Sequence, residues 1–329
     1  MKKVLVTGAN GAIGYHLSKK LSQDPNVSLT IVDNFVNSSM DKDMQDIISL
    51  DNVNFLQINL LDLKSIEESL SQDFDLVFHT AAMNGTSLFY EKPFEVIKNN
   101  AMSTVNLLNV LGKRVSERFV YFGTSESYAA GVDMGINNVP TGEDAVLVID
   151  DILNPRWSYS SSKVLGESAC VASSIQDGLP FTILRIHNSF GPRMGPKHFI
   201  SQFTSRAING DFSLKGGEQT RSFVFVEDVV SAILLSVSSK ETLNNIINIG
   251  APTERKVEDV ARIILKVLGL EGKEFLNSPA PEGSVKRRCP DVSFLRSLGF
   301  TEYTDFEKSI EETVKFIVLK SKEGKYTTS

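Results

Sequence analysis

The sequence predicts an α/β protein that combines a doubly wound parallel sheet with a smaller lobe of mixed α/β structure. Three observations lead to this fold class. Short apolar runs alternate with helical patterns through the first half of the chain. A glycine-rich turn joins the first apolar run to the first helical pattern. After residue 186 this alternation is replaced by shorter elements that cannot form one regular sheet.

The first half of the chain supplies the elements of the predicted sheet. Its strand patterns are Lys2–Val6, Leu29–Val32, Val53–Leu60, Asp75–Thr80, Phe119–Phe122 and Phe181–Ile186. Its helical patterns start at about Ile13, cover Leu63–Ser71 and Phe94–Leu111, and start again at about Ser158. Gly131–Arg156 predicts a long loop that contains a strand-like stretch, Ala145–Ile149. Because the carboxyl ends of such strands converge on the ligand crevice, the residues that follow them are candidates for a site.

The second half of the chain mixes turns, short strands and helices. Turns are predicted at His187–Arg193 and Leu214–Gln219, and strands at Phe223–Val226 and Ile246–Gly250. Helices are predicted at Ile200–Asn209, Asp228–Ser236, Val257–Leu268 and in the region after Asp291. We therefore expect two interleaved lobes, the first made of residues 1–186 and about 223–250, the second of residues 187–222 and 251–329.

Composition limits the classes of function. The 329 residues are 41% hydrophobic and 22% charged, with a net charge of -6, which argues against nucleic acid and anionic membranes as partners. The chain runs directly into a strand and has no apolar run long enough to span a bilayer. We therefore expect a cytoplasmic protein without a signal peptide. The cysteines and histidines are few and scattered, so no metal site is expected.

The glycine-rich turn predicts a dinucleotide site. Gly8, Gly11 and Gly14 follow the first strand at three-residue spacing and lead into a helix. Backbone N–H groups and the helix dipole favour an anion at such a helix start. The first glycine permits the tight turn, the second leaves room for a pyrophosphate, and the third lets the helix approach the strand. The expected cofactor contacts here are Gly8, Asn10, Gly11, Ala12, Ile13 and Gly14.

Asp33 predicts which dinucleotide is bound. It ends the second strand pattern, where a carboxylate meets the adenosine ribose 2′-OH, and Asn34 follows it as a further expected contact. The residues from Asn34 to Asn37 include no Arg or Lys. A 2′-phosphate would be repelled there without a cation to bind it, so we expect NAD in preference to NADP.

Tyr159 and Lys163 predict the chemistry. They lie four residues apart, on one face of a predicted helix. A phenol is a poor base at its usual pKa, about 10, but a neighbouring ammonium and the positive nicotinamide ring of NAD+ both favour the phenolate. Thr124 follows a strand and could hold a substrate hydroxyl while Tyr159 takes its proton and NAD+ accepts the hydride.

These motifs resemble one family over nearly the whole chain. Gly8-x-x-Gly11-x-x-Gly14, Thr124 and Tyr159-x-x-x-Lys163 resemble the extended short-chain dehydrogenases/reductases, which process nucleotide sugars. The resemblance implies that the first lobe is an NAD-binding Rossmann domain and that the second binds a nucleoside-diphosphate sugar. It also implies further cofactor contacts at Asp62, Leu63, Ala81, Ala82 and Asn100. The implied substrate contacts are Asn188, Arg221 and Arg288.

Two stretches point to a reaction within that family. Thr124-Ser125-Glu126 is similar to the triplet of UDP-glucuronate decarboxylases and of GDP-mannose 4,6-dehydratases, and Pro155–Tyr159 with Arg288 is most similar to the decarboxylases. The resemblance implies catalytic roles for Ser125 and Glu126 near C5 and C6 of the sugar. Oxidative decarboxylation of a UDP-glucuronate-like substrate is therefore expected. A nucleotide-sugar 4-epimerase is the first alternative; a 4,6-dehydratase and a non-catalytic NAD-binding regulator are the others.

Glu126 poses a question for the decarboxylase hypothesis, since a carboxylate is an unusual neighbour for a substrate carboxylate. It must either orient the sugar or carry a proton, and Arg288 could supply a compensating charge.

Two predicted helices indicate a homodimer. Phe94–Leu111 and Ser158–Ala172 carry more apolar side chains than one face of a sheet needs. Those singled out are Val96, Val105, Leu108, Val164 and Val171. In the family that the chain resembles, the matching helices pair across a two-fold interface.

Overall fold

The structure, a computed structural model, describes residues 1–36 and 39–323, so Asn37, examined above beside Asp33, lies outside the described residues. The strands are β1 (Lys2–Thr7), β2 (Val27–Val32), β3 (Val53–Leu56), β4 (Phe74–His79), β5 (Val115–Thr124), β6 (Phe181–Ile186), β7 (Asn188–Phe190), β8 (Ser213–Lys215), β9 (Thr220–Phe225), β10 (Asn245–Ile249), β11 (Glu254–Lys256), β12 (Leu276–Ser278) and β13 (Arg287–Arg288). The helices are α1 (Ala12–Ser22), α2 (Lys42–Ile48), α3 (Leu63–Ser69), α4 (Thr86–Glu91), α5 (Pro93–Ile97), α6 (Ser103–Leu111), α7 (Glu126–Asp133), α8 (Ser158–Asp177), α9 (Phe199–Ile208), α10 (Val226–Ser238), α11 (Val257–Val267), α12 (Ser293–Ser297) and α13 (Phe306–Lys322).

A seven-stranded parallel sheet forms the centre of the protein, in the order β10-β6-β5-β4-β1-β2-β3. The strand order reverses at β1, because β2 and β3 lie on one side of it and β4, β5 and β6 on the other. The crevice at this reversal point is where doubly wound sheets bind their ligands. The predicted doubly wound α/β class is confirmed.

Helices bury apolar side chains on both faces of this sheet. On one face, Leu107 and Leu111 of α6 pack with Phe119 of β5. On the other, Leu17 of α1 and Ile233 of α10 pack against the strands. Burying each such side chain stabilises the fold by about 1.5–3 kcal/mol relative to leaving it exposed. The sheet is therefore a rigid base for the side chains at its carboxyl edge.

A second sheet and the helices α9, α11 and α13 build the smaller lobe. In that sheet β9 pairs with β7, β11 and β13. Aromatic side chains of β7 and β9, including Phe190 and Phe223, pack with Phe306 at the start of α13. β9 (residues 220–225) thus belongs to the second sheet. Within the predicted range 223–250, β10 is a strand of the large sheet and α10 packs against that sheet. The exact division into two lobes stays a prediction.

Between residues 126 and 156 the structure adds one helix that was not predicted and contradicts one predicted strand-like stretch. Residues 126–133 form α7, a helix that the sequence analysis missed because Tyr128, Ala129 and Ala130 are all buried and leave no amphipathic pattern. Ala145–Ile149 does not form a strand. The Asn137 side chain and the Ser127 carbonyl bond the backbone of Val146 and Val148 instead, so this segment needs no neighbouring strand.

The predicted helix Phe94–Leu111 is interrupted by a π-helical turn, Lys98–Met102, between α5 and α6. Asn100 lies in this turn and is buried. Its Oδ1 accepts a hydrogen bond from Met83 N (2.6 Å), and its Nδ2 donates to Met83 O (3.2 Å) and Ser162 Oγ (3.1 Å). The turn therefore ties the segment after β4 to α8. Such turns are often found at functional sites.

Across the described ranges, no helix combines the length and the apolar character needed to cross a bilayer. The predicted cytoplasmic location stays a prediction.

Candidate active site

One cleft of about 1370 Å³ runs along the carboxyl edge of the large sheet, between the two sheets. Its walls include the turn after β1, the ends of β2, β4, β5 and β6, and the segment from β7 to α9. Most of the predicted site residues line it together, although they come from distant parts of the sequence. It is large enough to hold a dinucleotide and a second ligand.

The glycine turn forms one end of this cleft. Gly8 has a φ of +68°, and a Cβ there would lie 2.6 Å from the backbone of Ala81. A Cβ on Gly14 would lie 2.1 Å from Gly8 O. Gly11 is the N-cap of α1 and has no side chain to cap it, so the first N–H groups of the helix are open to the cleft. This cradle fits a pyrophosphate.

Asp33 lies beside this cradle, at the end of β2. Its Oδ2 accepts a hydrogen bond from Asn10 N (2.9 Å), and its Oδ1 accepts one from Phe35 N (2.8 Å). Both Asp33 and Asn34 line the cleft. A carboxylate has about four acceptor positions, so Asp33 keeps capacity for ribose hydroxyls. The residues present therefore fit an adenine dinucleotide.

We expect Asp33→Ala to weaken NAD binding about tenfold more than NADP binding, because only the ribose with a free 2′-OH donates a hydrogen bond to this carboxylate. Isothermal titration of each nucleotide into the protein measures both constants. Asp51→Ala, in an exposed turn at the other end of the sheet, is the matched control. Tighter binding of NADP than NAD to the unmutated protein would contradict the prediction.

Three of the predicted cofactor contacts lie outside the cleft wall. Asp62 is exposed and caps α3, where it accepts hydrogen bonds from Ser65 N (3.3 Å) and Ser65 Oγ (2.6 Å). Leu63 follows it on the surface. Asn100 is buried and bonded to the Met83 backbone. Ala81 and Ala82 do line the cleft. A direct contact between the first three residues and a cofactor stays a prediction.

Tyr159, Lys163 and Thr124 come together where α8 meets the end of β5. All three are buried and line the cleft. The Thr124 side chain lies close enough to the Tyr159 phenol to lower its pKa. The ring of Phe89 stacks on that of Tyr159, with centroids 4.9 Å apart and planes at 12°. Lys163 Nζ lies 5.0 Å from the centroid of the Tyr121 ring, so its stem is held against β5.

Burial decides the acidity of this pair. Burial raises the pKa of Tyr159, although Thr124 acts in the opposite direction. It lowers the pKa of Lys163 to about 8, although Glu167 acts in the opposite direction. The protein alone thus opposes the low Tyr159 pKa expected from the sequence, because desolvation and the negative charge of Glu126 together outweigh the effect of Thr124. When bound, NAD+ supplies both the hydride acceptor and the further positive charge that favours the phenolate.

Glu126 is the centre of an ion-paired cluster next to Thr124. Arg156 Nη2 donates to both of its oxygens, at 3.2 and 2.9 Å, and Arg288 Nη1 donates to Oε1. Burial would raise the pKa of Glu126, but Arg156, Arg288 and Arg221 together lower it to about 2. The two guanidinium groups bonded to Glu126 thus favour its ionised form, in which it orients the arginines.

The strands β9 and β13 bring two arginines of this cluster together. Arg288 and Arg221 are partners in the parallel register of these strands. Burial and the charge of Arg288 lower the pKa of Arg221 to about 9, so Arg221 is still positive at neutral pH. With Arg156, three guanidinium groups act on one buried carboxylate, Glu126, and all four side chains line the cleft, while the exposed Asp133 acts on Arg221 from outside the cleft wall. Asn188, on β7, lines the same wall and donates to Ser222 O (3.0 Å).

Comparison with known proteins identifies the family. The model of the NAD dependent epimerase/dehydratase family matches residues 4–250. The chain belongs to this family. It is 33% identical, over 96% of its length and 97% of the relative, to UDP-N-acetyl-alpha-D-glucosaminuronate decarboxylase of Bacillus cytotoxicus. It is 29% identical, over 96% of its length and 72% of the relative, to UDP-glucuronic acid decarboxylase 1 of Xenopus tropicalis.

A solved structure is also similar. UDP-glucose 4-epimerase of Thermotoga maritima, determined with UDP-glucose, matches with a TM-score of 0.84 and 25% identity over 97% of this chain and 99% of that one. Membership of the NAD dependent epimerase/dehydratase family confirms the predicted enzyme class and NAD as the cofactor.

The structure adds residues to the site of this epimerase/dehydratase family member that sequence reasoning missed. Phe89 gave no signal, since it lies between the predicted strand that ends at Thr80 and the predicted helix that starts at Phe94. Arg156 was noted only as part of a similar stretch. Arg193 comes from the segment after β7 and lies beside Asn10, so a cation does approach the Asp33 region. The sequence neighbours of Asp33 could not reveal this.

Proposed function

We propose that this enzyme oxidises C4 of a nucleotide-linked uronic acid and releases its C6 carboxyl group as CO2. The observation that carries the proposal is the cluster of Arg156, Arg221 and Arg288, whose charge exceeds that of Glu126 by two. A uronate adds a carboxylate to the two charged phosphates of a nucleotide sugar, and arginine pairs with both kinds of anion. The decarboxylase relatives named above support the same reaction.

The side chains of the cleft fit the steps that this reaction needs. Thr124, Tyr159 and Lys163 all line the cleft. In the proposed reaction Thr124 holds the C4 hydroxyl, Tyr159 takes its proton, and the ammonium group of Lys163 favours the phenolate. The resulting C4 ketone lies two bonds from the carboxyl carbon, so when the C5–C6 bond breaks and CO2 leaves, the electron pair is held as an enolate between C5 and the C4 oxygen. C5 then takes a proton, and the products are CO2, a nucleotide-linked 4-ketopentose and NADH. Ser125 lies next to Thr124 on the cleft wall and Glu126 orients the arginines, which in turn position the carboxylate.

A 4-epimerase is the second candidate, because the similar Thermotoga maritima structure is an epimerase. Epimerisation needs Thr124, Tyr159 and Lys163, with room for the keto sugar to turn, and gives no task to the charge of Glu126.

An assay with three nucleotide sugars tests the proposal. We expect CO2 from UDP-glucuronate or from its 2-acetamido counterpart, and none from UDP-glucose, which lacks the carboxyl group and serves as the matched control. The products are followed by NMR. Interconversion of C4 epimers with no CO2 from either uronate would replace the proposal by the epimerase.

We also propose that the protein is a homodimer formed by α5 and α8. Of the residues named from the sequence, Val96 and Leu108 are buried within the protomer and cannot serve this purpose. The exposed apolar side chains on these two neighbouring helices and the π turn are Phe94, Ile97, Met102, Leu165, Val171 and Ile175. Such a surface is typical of an interface between protein chains.

We expect light scattering at micromolar concentration to give twice the chain mass, and Leu165→Glu to give a monomer, because a charge in the paired surface would lose its water. Ile208→Glu, at an equally exposed position on α9, is the control and should leave the dimer intact. A monomer mass for the unmutated chain contradicts the prediction.

A further inference from the structure

A chain of contacts leads from Asp33 to a second carboxylate, Asp41. Asp33 Oδ2 accepts from Asn10 N (2.9 Å). Asn10 Oδ1 accepts from Arg193 Nη2 (2.7 Å), and Arg193 Nη1 donates to Asp41 Oδ2 (2.6 Å). All four residues line the cleft. Only the Asn10 residue thus separates the Arg193 guanidinium from the Asp33 carboxylate, which marks the ribose 2′ position.

Arg193 is held firmly in this place. Its backbone has a φ of +66°, and its guanidinium lies 3.9 Å from the centroid of the Tyr15 ring. It comes from the segment after β7, whereas Asn10, Asp33 and Asp41 belong to the first part of the chain. A guanidinium is the side chain best suited to bind a phosphate, so its partner decides whether it serves a 2′-phosphate.

Asp41 is that partner. It is the N-cap of α2, where its Oδ1 accepts from Met44 N (3.0 Å), while Oδ2 takes the bond from Arg193. Burial would raise its pKa, but the bonds from Met44 and Arg193 lower it, so Asp41 is charged at neutral pH. Asp43 lies farther from Arg193, with 3.7 Å between the charged atoms, and its side chain is half-exposed.

We propose that Asp41 is a specificity-determining residue for the cofactor: its carboxylate neutralises Arg193, the cation that reaches Asn10, and so denies it to a 2′-phosphate. Lys320, which also lines the cleft, acts on Asp41 as a further charge. Asp33 selects the 2′-OH by accepting its hydrogen bond, and Asp41 favours the same cofactor by neutralising Arg193. NADP is thus disfavoured by two carboxylates, one of which acts through an arginine.

The test measures the binding of NAD+ and NADP+ by isothermal titration to the full chain, after removal of any nucleotide that copurifies. Asp41→Asn keeps the cap of α2, since Asn caps as well as Asp, but removes the charge. We expect NADP+ to bind about tenfold more tightly and NAD+ to change by less than about threefold. Asp41→Ser, a second capping variant, should behave in the same way and guards against a local folding defect.

Two controls separate this role from simpler ones. Asp43→Asn removes the more distant charge and should shift the ratio of the two constants much less. Arg193→Gln added to Asp41→Asn should remove the gain for NADP+. If the double variant still binds NADP+ more tightly than the unmutated protein does, the effect comes only from loss of repulsion between Asp41 and the 2′-phosphate, and the inference is wrong. Equal weakening of both nucleotides by Asp41→Asn and Asp41→Ser would show a purely structural residue and would also overturn it.

Discussion

We expect Tyr159→Phe to lower turnover by about three orders of magnitude, which is the range for loss of a positioned general base. Only the phenol oxygen is removed, so the ring can still stack on Phe89 and the backbone of α8 is unchanged. NAD binding and the melting temperature should therefore stay close to those of the unmutated protein. The measurements are kcat with the best nucleotide sugar, titration with NAD+, and a thermal scan.

Tyr303→Phe is the matched control, because it removes a phenol that is bonded to Gly250 O outside the cleft wall. Its kcat should be unchanged. If Tyr159→Phe turns over as fast as the unmutated enzyme, the base is a different residue.

Lys163 gives the same chemistry a pH dependence. With a pKa of about 8, it is positive below that pH and loses its charge above it. Activity rises with pH as Tyr159 loses its proton, and a positive Lys163 brings that rise to lower pH. In Lys163→Ala the rising limb of the pH–rate profile should therefore move to higher pH, with a lower kcat. An unmoved limb would exclude Lys163 as the stabilising cation.

The second large effect is expected from Glu126→Gln. This variant keeps the side-chain shape but leaves Arg156 and Arg288 without a carboxylate, and loss of one partner of a buried ion pair costs about 3–5 kcal/mol of stability. The freed arginines no longer position the substrate carboxylate. With UDP-glucuronate we expect NAD+ reduction to continue, while CO2 release falls about a hundredfold, an effect in the range for a lost acid, base or orienting group.

Glu254→Gln is the matched control, since it breaks an ion pair with Arg287 on the strand that carries Arg288. It should leave the ratio of CO2 release to NAD+ reduction unchanged. If CO2 release and NAD+ reduction fall by the same factor in Glu126→Gln, Glu126 acts before the C5–C6 bond breaks and the proposed role is wrong.

The sequence was most informative where local pattern decides structure. Gly8, Gly11 and Gly14 identified the turn and its ligand because backbone geometry there depends on the absence of a Cβ. Tyr159 and Lys163 were found for a similar reason, since helix geometry fixes residues four apart. Local patterns do not decide the order of the strands in the large sheet or the placement of β9 in the second sheet. Both depend on contacts between distant segments.

Partners distant in sequence were not predictable. Arg193 and Asp41 are 152 positions apart, and nothing near either residue indicates the other. The sequence left the protonation of Glu126 open, because the residues next to it in sequence do not include the arginines that favour its ionised form. The low pKa of Lys163 follows from burial between α8 and β5, which only the folded chain defines.

The π-helical turn Lys98–Met102 also sets how far α6 is rotated about the helix axis relative to α5. A π turn takes up one residue more than an α turn, and successive residues of an α-helix are about 100° apart. α6 is therefore rotated by about that angle relative to a straight continuation of α5. Phe94 and Ile97 can thus remain on the outer surface while Asn100 faces Met83 and Ser162. Deleting one residue from the turn would rotate α6 against α5, so the outer surface and the bond from Asn100 to Ser162 on α8 cannot be altered independently.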